Sequence, residues 1–323
     1  MCTAITFNAY SSYFGRNLDL EYRYDEKITV TPRNFKINYR HIKEENCHYA
    51  IIGMATVADN FPLYYDGVNE YGLAVAGLNF VDNAKFNMPI SGKINIATFE
   101  FIPYILGKCK NIKQAKEILR DINITNTPFS NELPIAELHW IIADKNSSIV
   151  VEQTEQGLNV YPNDVGVLTN NPPFLYQIQN LNNYLNLTVN EPENRFSKSI
   201  NLKNYSNGMG SIGLPGDLSS MSRFVRGVYY KLNSYIPKTE NESISQYFHI
   251  LSSVSMTAGL VRLGDKNEKT VYSSCMDLDK IIYYCKTYEN SQINRVYLFG
   301  ANYKGEKIFC CDVDFEENFR NLN

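Results

Sequence analysis

The 323-residue chain is 44% hydrophobic and 20% charged, with a net charge of −3 at neutral pH. That balance is ordinary for a globular protein and lacks both the basic excess of a nucleic-acid binder and the acidic blocks of a solvated tail. No stretch approaches the roughly 18 apolar residues of a transmembrane helix, so neither nucleic acid nor membrane is expected as a partner.

Apolar/polar alternation predicts opening strands at 3–7, 13–19 and 27–33, then two more at 49–55 and 72–80. Helical spacing follows over 97–109 and 112–122, the second started by Asn111 as N-cap. Strands return at 138–143, 148–153 and 157–161, the first two joined by the polar turn 144–147. Helices fit 174–185, 222–232 and 244–254, and strands near 270–275, 281–287 and 295–299 close the chain. The strands come in blocks with helices between the blocks. This order predicts an α+β fold, with two stacked antiparallel sheets and helices outside, rather than alternating α/β. No repeat or linker interrupts it, so one domain over 1–323 is expected. The 24 tyrosines and 17 phenylalanines suit such a β-rich core.

The start, MCTAITFNAY, has neither the charged region nor the apolar run of a signal peptide, and a cytoplasmic location is expected. Seven cysteines at scattered positions read as free thiols rather than a disulfide framework. No CxxC pair occurs and the four histidines do not fall at zinc spacings, so no metal and no cofactor is expected.

The strongest chemical signal is positional: Cys2 stands directly behind Met1. Removal of Met1 leaves a thiol and a free α-amine on one carbon. An α-amine with a pKa of roughly 8 is partly unprotonated near neutrality and can act as base for its own side chain. In FGRNLD, Arg16 and Asp19 bracket that residue. A guanidinium favours a thiolate, and a carboxylate orients an amine. Asn79 ends the apolar run AGLNF, and Asn170 ends GVLTN. Such asparagines form turns, and their amides also serve as oxyanion donors. GLPGD at 213–217 then leads into SRFVR at a helix start. His139 beside Trp140 offers the alternative of a Cys–His dyad, but the alternation of its strand reads as a hydrogen-bonded structural histidine.

Together with PRNF (32–35), NEYGLAVAGLNF (69–80), ELHWIIAD (137–144), SIVVEQT (148–154) and YFHIL (247–251), these segments resemble the choloylglycine hydrolase family, which holds bile salt hydrolases and penicillin V acylases. The resemblance runs over nearly the whole chain. It implies the four-layer αββα fold of N-terminal-nucleophile hydrolases, loss of Met1 on maturation, and a homotetramer. Carried over by motif, the catalytic set is Cys2, Arg16, Asp19, Asn79, Asn170 and Arg223. Cys2 is implied as nucleophile with its own amine as base, Asp19 as the group that holds that amine, and Arg16 as the cation beside the thiolate. The main-chain N–H of Asn79 and the side-chain amide of Asn170 are implied to form the oxyanion hole. Arg223 completes the network behind them, and Arg226, one turn on, is expected at the surface. The implied substrates are glycine- or taurine-conjugated bile salts, cleaved through a thioester acyl-enzyme. Leu18, Tyr24, Ala58, Phe129 and Leu133 are implied to wall the sterol pocket. A penicillin V acylase is the nearest alternative, and a catalytically silent acyl-amide binder the second. Asn79, in place of the tyrosine of one acylase branch, leans towards bile salts.

Overall fold

A computed structural model describes residues 1–43 and 47–323. The chain opens on an antiparallel hairpin, β1 (Cys2–Asn8) and β2 (Ser12–Leu20), in which Cys2 lies opposite Leu18 and Ala4 opposite Arg16. Strand alternation therefore sends Cys2, Ala4, Arg16 and Leu18 to one face of the sheet and Thr3 and Asp19 to the other. The next strand, β3 (Lys27–Thr31), stops short of the predicted 33 because Pro32 has no N–H for a ladder. β4 (Ile51–Ala58) and β5 (Phe61–Asn69) join across Asp59 and Asn60, both at positive φ (48° and 60°), as a two-residue hairpin turn of the primed type requires. β5 is absent from the sequence pattern because Pro62, Asp66 and Gly67 interrupt its alternation.

β6 (Ala74–Asn79) precedes β7 (Ile94–Ala97), which pairs in parallel with β8 (Ile122–Thr125) around α1 (Phe101–Lys108) and α2 (Ile112–Leu119). The helices predicted over 97–109 and 112–122 are thus trimmed where these short strands begin and end. Asn111 caps α2, its Oδ1 accepting from Gln114 N at 3.0 Å. β9 (Leu138–Ala143), β10 (Ser148–Thr154) and β11 (Gly157–Pro162) form a meander close to the predicted bounds. In its first turn Asp144 Oδ1 accepts from Asn146 N and Ser147 N. Then come β12 (Val167–Leu168), α3 (Phe174–Asn180), α4 (Ser220–Asn233), α5 (Glu240–Ser252), β13 (Val261–Leu263), β14 (Lys266–Asp277), β15 (Ile282–Thr287), β16 (Asn294–Tyr297) and β17 (Phe309–Cys311).

One sheet runs β12-β1-β2-β14-β15-β16, with β13 paired to β14; the other runs β11-β10-β9-β6-β5-β4-β3-β17. Pairing is antiparallel throughout both sheets. The sheets close on each other through Ala4, Phe14, Leu18 and Met276 from the first, and Met54, Val68, Ala76 and Leu78 from the second, all buried. α4 and α5 cover the outer face of the first sheet. Ile5 and Val167 pack at the Gly227 position of α4, and Phe7 lies 6.4 Å from Tyr247 of α5 between ring centroids. α1 and α2 cover the outer face of the second, over Val75, Ile142 and Val151. The architecture is helix–sheet–sheet–helix, the expected α+β arrangement. Among the described residues, no helix is long and apolar enough to cross a membrane.

Candidate active site

β1 is flanked by β12 and β2, so the first residue of the strand is already buried: Cys2 is 2% exposed. Cys2 N donates to Asn170 Oδ1 at 2.8 Å. From α4, Arg223 Nη1 donates to Cys2 O and Thr3 Oγ1, both at 2.6 Å, and Nη2 donates to Asn170 Oδ1 at 2.8 Å. The Asn170 amide is fixed from its other end as well, Nδ2 donating to Asn79 O at 2.8 Å and the backbone N to Ser220 Oγ at 2.8 Å. A carboxamide has two N–H bonds on Nδ2. The one not directed at Asn79 is available to another acceptor.

Arg16 reaches across the inter-sheet layer and its Nη1 donates to Tyr65 O at 3.0 Å and to Gly77 O. The β5–β6 ladder ends at the pair Asp66–Ala76. Tyr65 and Gly77 would pair next, but the guanidinium bridges their carbonyls instead. This parts the two strands and opens a mouth in the sheet. Phe80 N donates to Glu137 O at 2.7 Å. By the alternation of an antiparallel ladder, the N–H of the preceding Asn79 points to the opposite edge, towards that mouth. Arg16 Nη2 is buried and has no acceptor among the described residues. Asp66, fully buried, accepts from Tyr272 Oη and Tyr283 Oη, both at 2.7 Å; burial pushes its carboxyl up, and Arg16 and these hydroxyls pull it back. Arg16 and Arg223 both lie within electrostatic reach of Cys2.

Asp19 sits on the other face of β2, towards α4. Its Oδ1 accepts from Thr270 Oγ1 at 2.6 Å, while Oδ2 lies 3.9 Å from Arg223 Nη1 and accepts no hydrogen bond among the described residues. Burial pushes this carboxyl up, opposed chiefly by Arg223. The main chain of Asp19, not its carboxylate, holds Met1: Met1 N donates to Asp19 O at 2.7 Å, and Asp19 N donates to Met1 O at 2.9 Å. The Met1 ammonium also pairs with the carboxylate of Glu268, itself 2% exposed. Burial pushes the Glu268 carboxyl up, and the ammonium pulls it down.

Above Cys2 lies a cavity of about 440 Å³, lined by Leu18, Tyr24, Phe129 and Leu133 together with Arg16, Asn79, Leu20, Tyr22, Phe99, Ile135 and Leu138. Phe129 is braced in an aromatic cluster, with ring centroids 5.1 Å from Phe99 and 6.0 Å from Phe61.

A model of the linear amide C–N hydrolases, choloylglycine hydrolase family, matches residues 2–313. The chain belongs to the choloylglycine hydrolase family. It is 51% identical to a bile salt hydrolase/transferase of Lactiplantibacillus plantarum over 92% of both chains. A bile salt hydrolase/transferase of Clostridium perfringens is 40% identical over 95% of both. A mutant conjugated bile acid hydrolase from Clostridium perfringens has the same structure over the full length of both chains, at a TM-score of 0.92 and 38% identity. A penicillin V acylase from Agrobacterium tumefaciens shares the fold at a TM-score of 0.74 and 19% identity, over 95% of this chain and 90% of that one.

In this choloylglycine hydrolase, two expectations need correcting. Ala58 does not line the cavity. It stands at the turn end of β4, opposite Phe61, and it is Phe61 that backs the cavity wall, meeting Phe99 edge-on and Phe129 at a tilt. Arg226 is 8% exposed rather than a surface residue. The 213–217 loop folds back over the start of α4, and Arg226 supplies donors to its carbonyls at Pro215 (2.7 Å) and Asp217, and to Ser253 O at 3.0 Å. His139 has both ring nitrogens engaged, 3.0 Å from Glu152 Oε1 and 2.8 Å from Thr169 O, rather than directed at Cys2. Ser220, Thr270 and Glu268 escape the sequence reading. Each is a common polar residue beside a helix or strand end, and only its contact with Asn170, Asp19 or Met1 distinguishes it.

Proposed function

We propose that this choloylglycine hydrolase cleaves the amide of glycine- or taurine-conjugated bile salts, with Cys2 as nucleophile after loss of Met1. The observation that carries this reading is the convergence of Cys2, Arg16 and Asn79 on one largely apolar cavity, with Asn170 and Arg223 bonded to Cys2 behind it. A steroid needs apolar walls and few polar groups near its reacting carbonyl. The names of its relatives, bile salt hydrolase/transferase and conjugated bile acid hydrolase, support the same substrate class.

Once Met1 is gone, Cys2 N is an amine already oriented by Asn170 Oδ1, and it takes the thiol proton. Sγ attacks the amide carbon, and the developing oxyanion is met by Asn79 N–H and the second N–H of Asn170 Nδ2. Collapse breaks the C–N bond, and the glycine or taurine nitrogen leaves with the proton held on Cys2 N. Water then attacks the thioester, giving up a proton to the same amine, and the thiol is regenerated. Arg16, whose Nη2 has no acceptor among the described residues, supplies positive charge on the cavity side; Arg223 fixes the backbone behind the nucleophile, with the Asp19 carboxylate 3.9 Å from its guanidinium. The whole chain acts as one domain, in the cytoplasm, as a homotetramer. Leu185, Phe196 and Tyr205, 84%, 85% and 83% exposed, are apolar surface that such an assembly can cover, and light scattering on the purified protein tests its mass.

The function is tested by incubating processed protein with glycocholate, taurocholate and penicillin V and detecting the released amine. Cleavage of penicillin V alone makes the protein an acylase. Binding of all three without turnover makes it a silent binder.

A further inference from the structure

The loop 169–174 carries Asn170, and a buried pair outside the catalytic set holds it at both ends. His139 on β9 and Glu152 on β10 are 0% and 1% exposed. His139 Nε2 lies 2.8 Å from Thr169 O, at the start of the loop, and Nδ1 lies 3.0 Å from Glu152 Oε1. That same Glu152 oxygen accepts from Phe174 N at 3.0 Å, at the end of the loop. Thr169 O can only accept, so Nε2 carries a hydrogen. Glu152 Oε1 is thus one oxygen facing both the imidazole and the end of the loop. The imidazole is locked in plane by Phe80, the residue after Asn79, with ring centroids 4.3 Å apart and planes 6° from parallel. One side-chain pair thus ties both ends of the Asn170 loop to the central strands β9 and β10, and braces the strand that ends in Asn79.

We propose that His139 and Glu152 are positioning residues that hold the Asn170 amide at the site of the developing oxyanion. The role rests on the oxyanion reading of Asn170 given above. Two features separate it from ordinary core packing. A pair of ionisable groups gains little net stability over an apolar pair once desolvation is counted, whereas it directs hydrogen bonds to two chosen backbone atoms. Those atoms also flank the one loop residue bonded to both Cys2 N and Arg223.

The test is a double-mutant cycle. His139→Gln and Glu152→Gln are each made alone and in combination with Asn170→Ala. Glu152→Gln preserves shape but removes the carboxylate charge that faces His139 Nδ1 and Phe174 N, and it serves alone if His139→Gln does not fold. Each single change is expected to lower kcat for glycocholate by about 10- to 100-fold with KM within about threefold, the effect of displacing one oxyanion donor. Alkylation of Cys2 by iodoacetamide, which needs no oxyanion hole, stays within about twofold. In the Asn170→Ala background the same changes move kcat by less than about threefold, because the group they position is already gone. An equal loss in both backgrounds, or unchanged kcat in the single variants, overturns the proposal. Full kcat in Asn170→Ala by itself overturns the oxyanion reading, and this role with it.

Discussion

Replacing Asn170 with alanine tests the site at its most connected point. The side chain makes three hydrogen bonds, accepting from Cys2 N and Arg223 Nη2 in buried contacts and donating to Asn79 O in a partly buried one, each at 2.8 Å. Alanine deletes all of them and leaves a fully buried guanidinium one acceptor short. At roughly 1 kcal/mol net per bond, and more for the charged donor, the folded state loses about 3–4 kcal/mol. The melting temperature therefore falls by several degrees without loss of the fold. Catalysis loses more, because an oxyanion donor acts on charge that exists only in the transition state. Removing one typically costs about 10²–10³ in kcat, or ~2.7–4 kcal/mol of barrier. Glycine release from glycocholate, followed across substrate concentration, separates the two parameters: kcat is expected to fall by that factor while KM stays within about threefold. A raised KM with kcat intact would make Asn170 a turn or substrate-binding residue and refute the reasoning.

Further outcomes follow from the same geometry. Cys2→Ser should fold but lose measurable turnover, since a hydroxyl is a far weaker nucleophile at the same amine base; more than a tenth of the original activity in a purified sample removes Cys2 from the mechanism. Active protein should show the mass of the chain less one methionine. A non-cleavable N-terminal extension should leave a folded protein with kcat lowered by at least about 10²–10⁴, the usual contribution of a general base, because the nitrogen of Cys2 is then a peptide amide. Equal rates for the extended and processed forms rule out the amine as base. Phe129→Ala should weaken cholyl conjugates more than penicillin V, because a steroid has more apolar area against the Phe61–Phe99–Phe129 wall; each ~40 Å² of lost contact is worth about 1 kcal/mol. Equal losses on both substrates would mean that Phe129 is not part of a sterol wall.

Read alone, the sequence determined a great deal, for local reasons. Alternation defined β1, β2, β9 and β10 because each lies in a sheet with two distinct faces, one towards the other sheet and one towards a helix layer. The cap at Asn111 was legible because it bonds to a residue three positions away. The order of motifs pointed to the family, and with it to Cys2, Arg16, Asp19, Asn79, Asn170 and Arg223. β5 was not legible, because its Pro62, Asp66 and Gly67 answer to neighbours rather than to a period. Asp66 is tolerated because Arg16, Tyr272 and Tyr283 arrive from the opposite sheet. Ala58 and Arg226 went astray for a related reason: which side of a hairpin tip meets a cavity, and whether a loop folds back over a helix, are set by packing between distant segments. Cys2 and Asn170 are 168 residues apart in the chain and 2.8 Å apart in space. Periodicity specifies the face to which a side chain points. The group it meets there is decided when the two sheets stack, and stacking depends on burial summed over the whole interface rather than on any local run of residues.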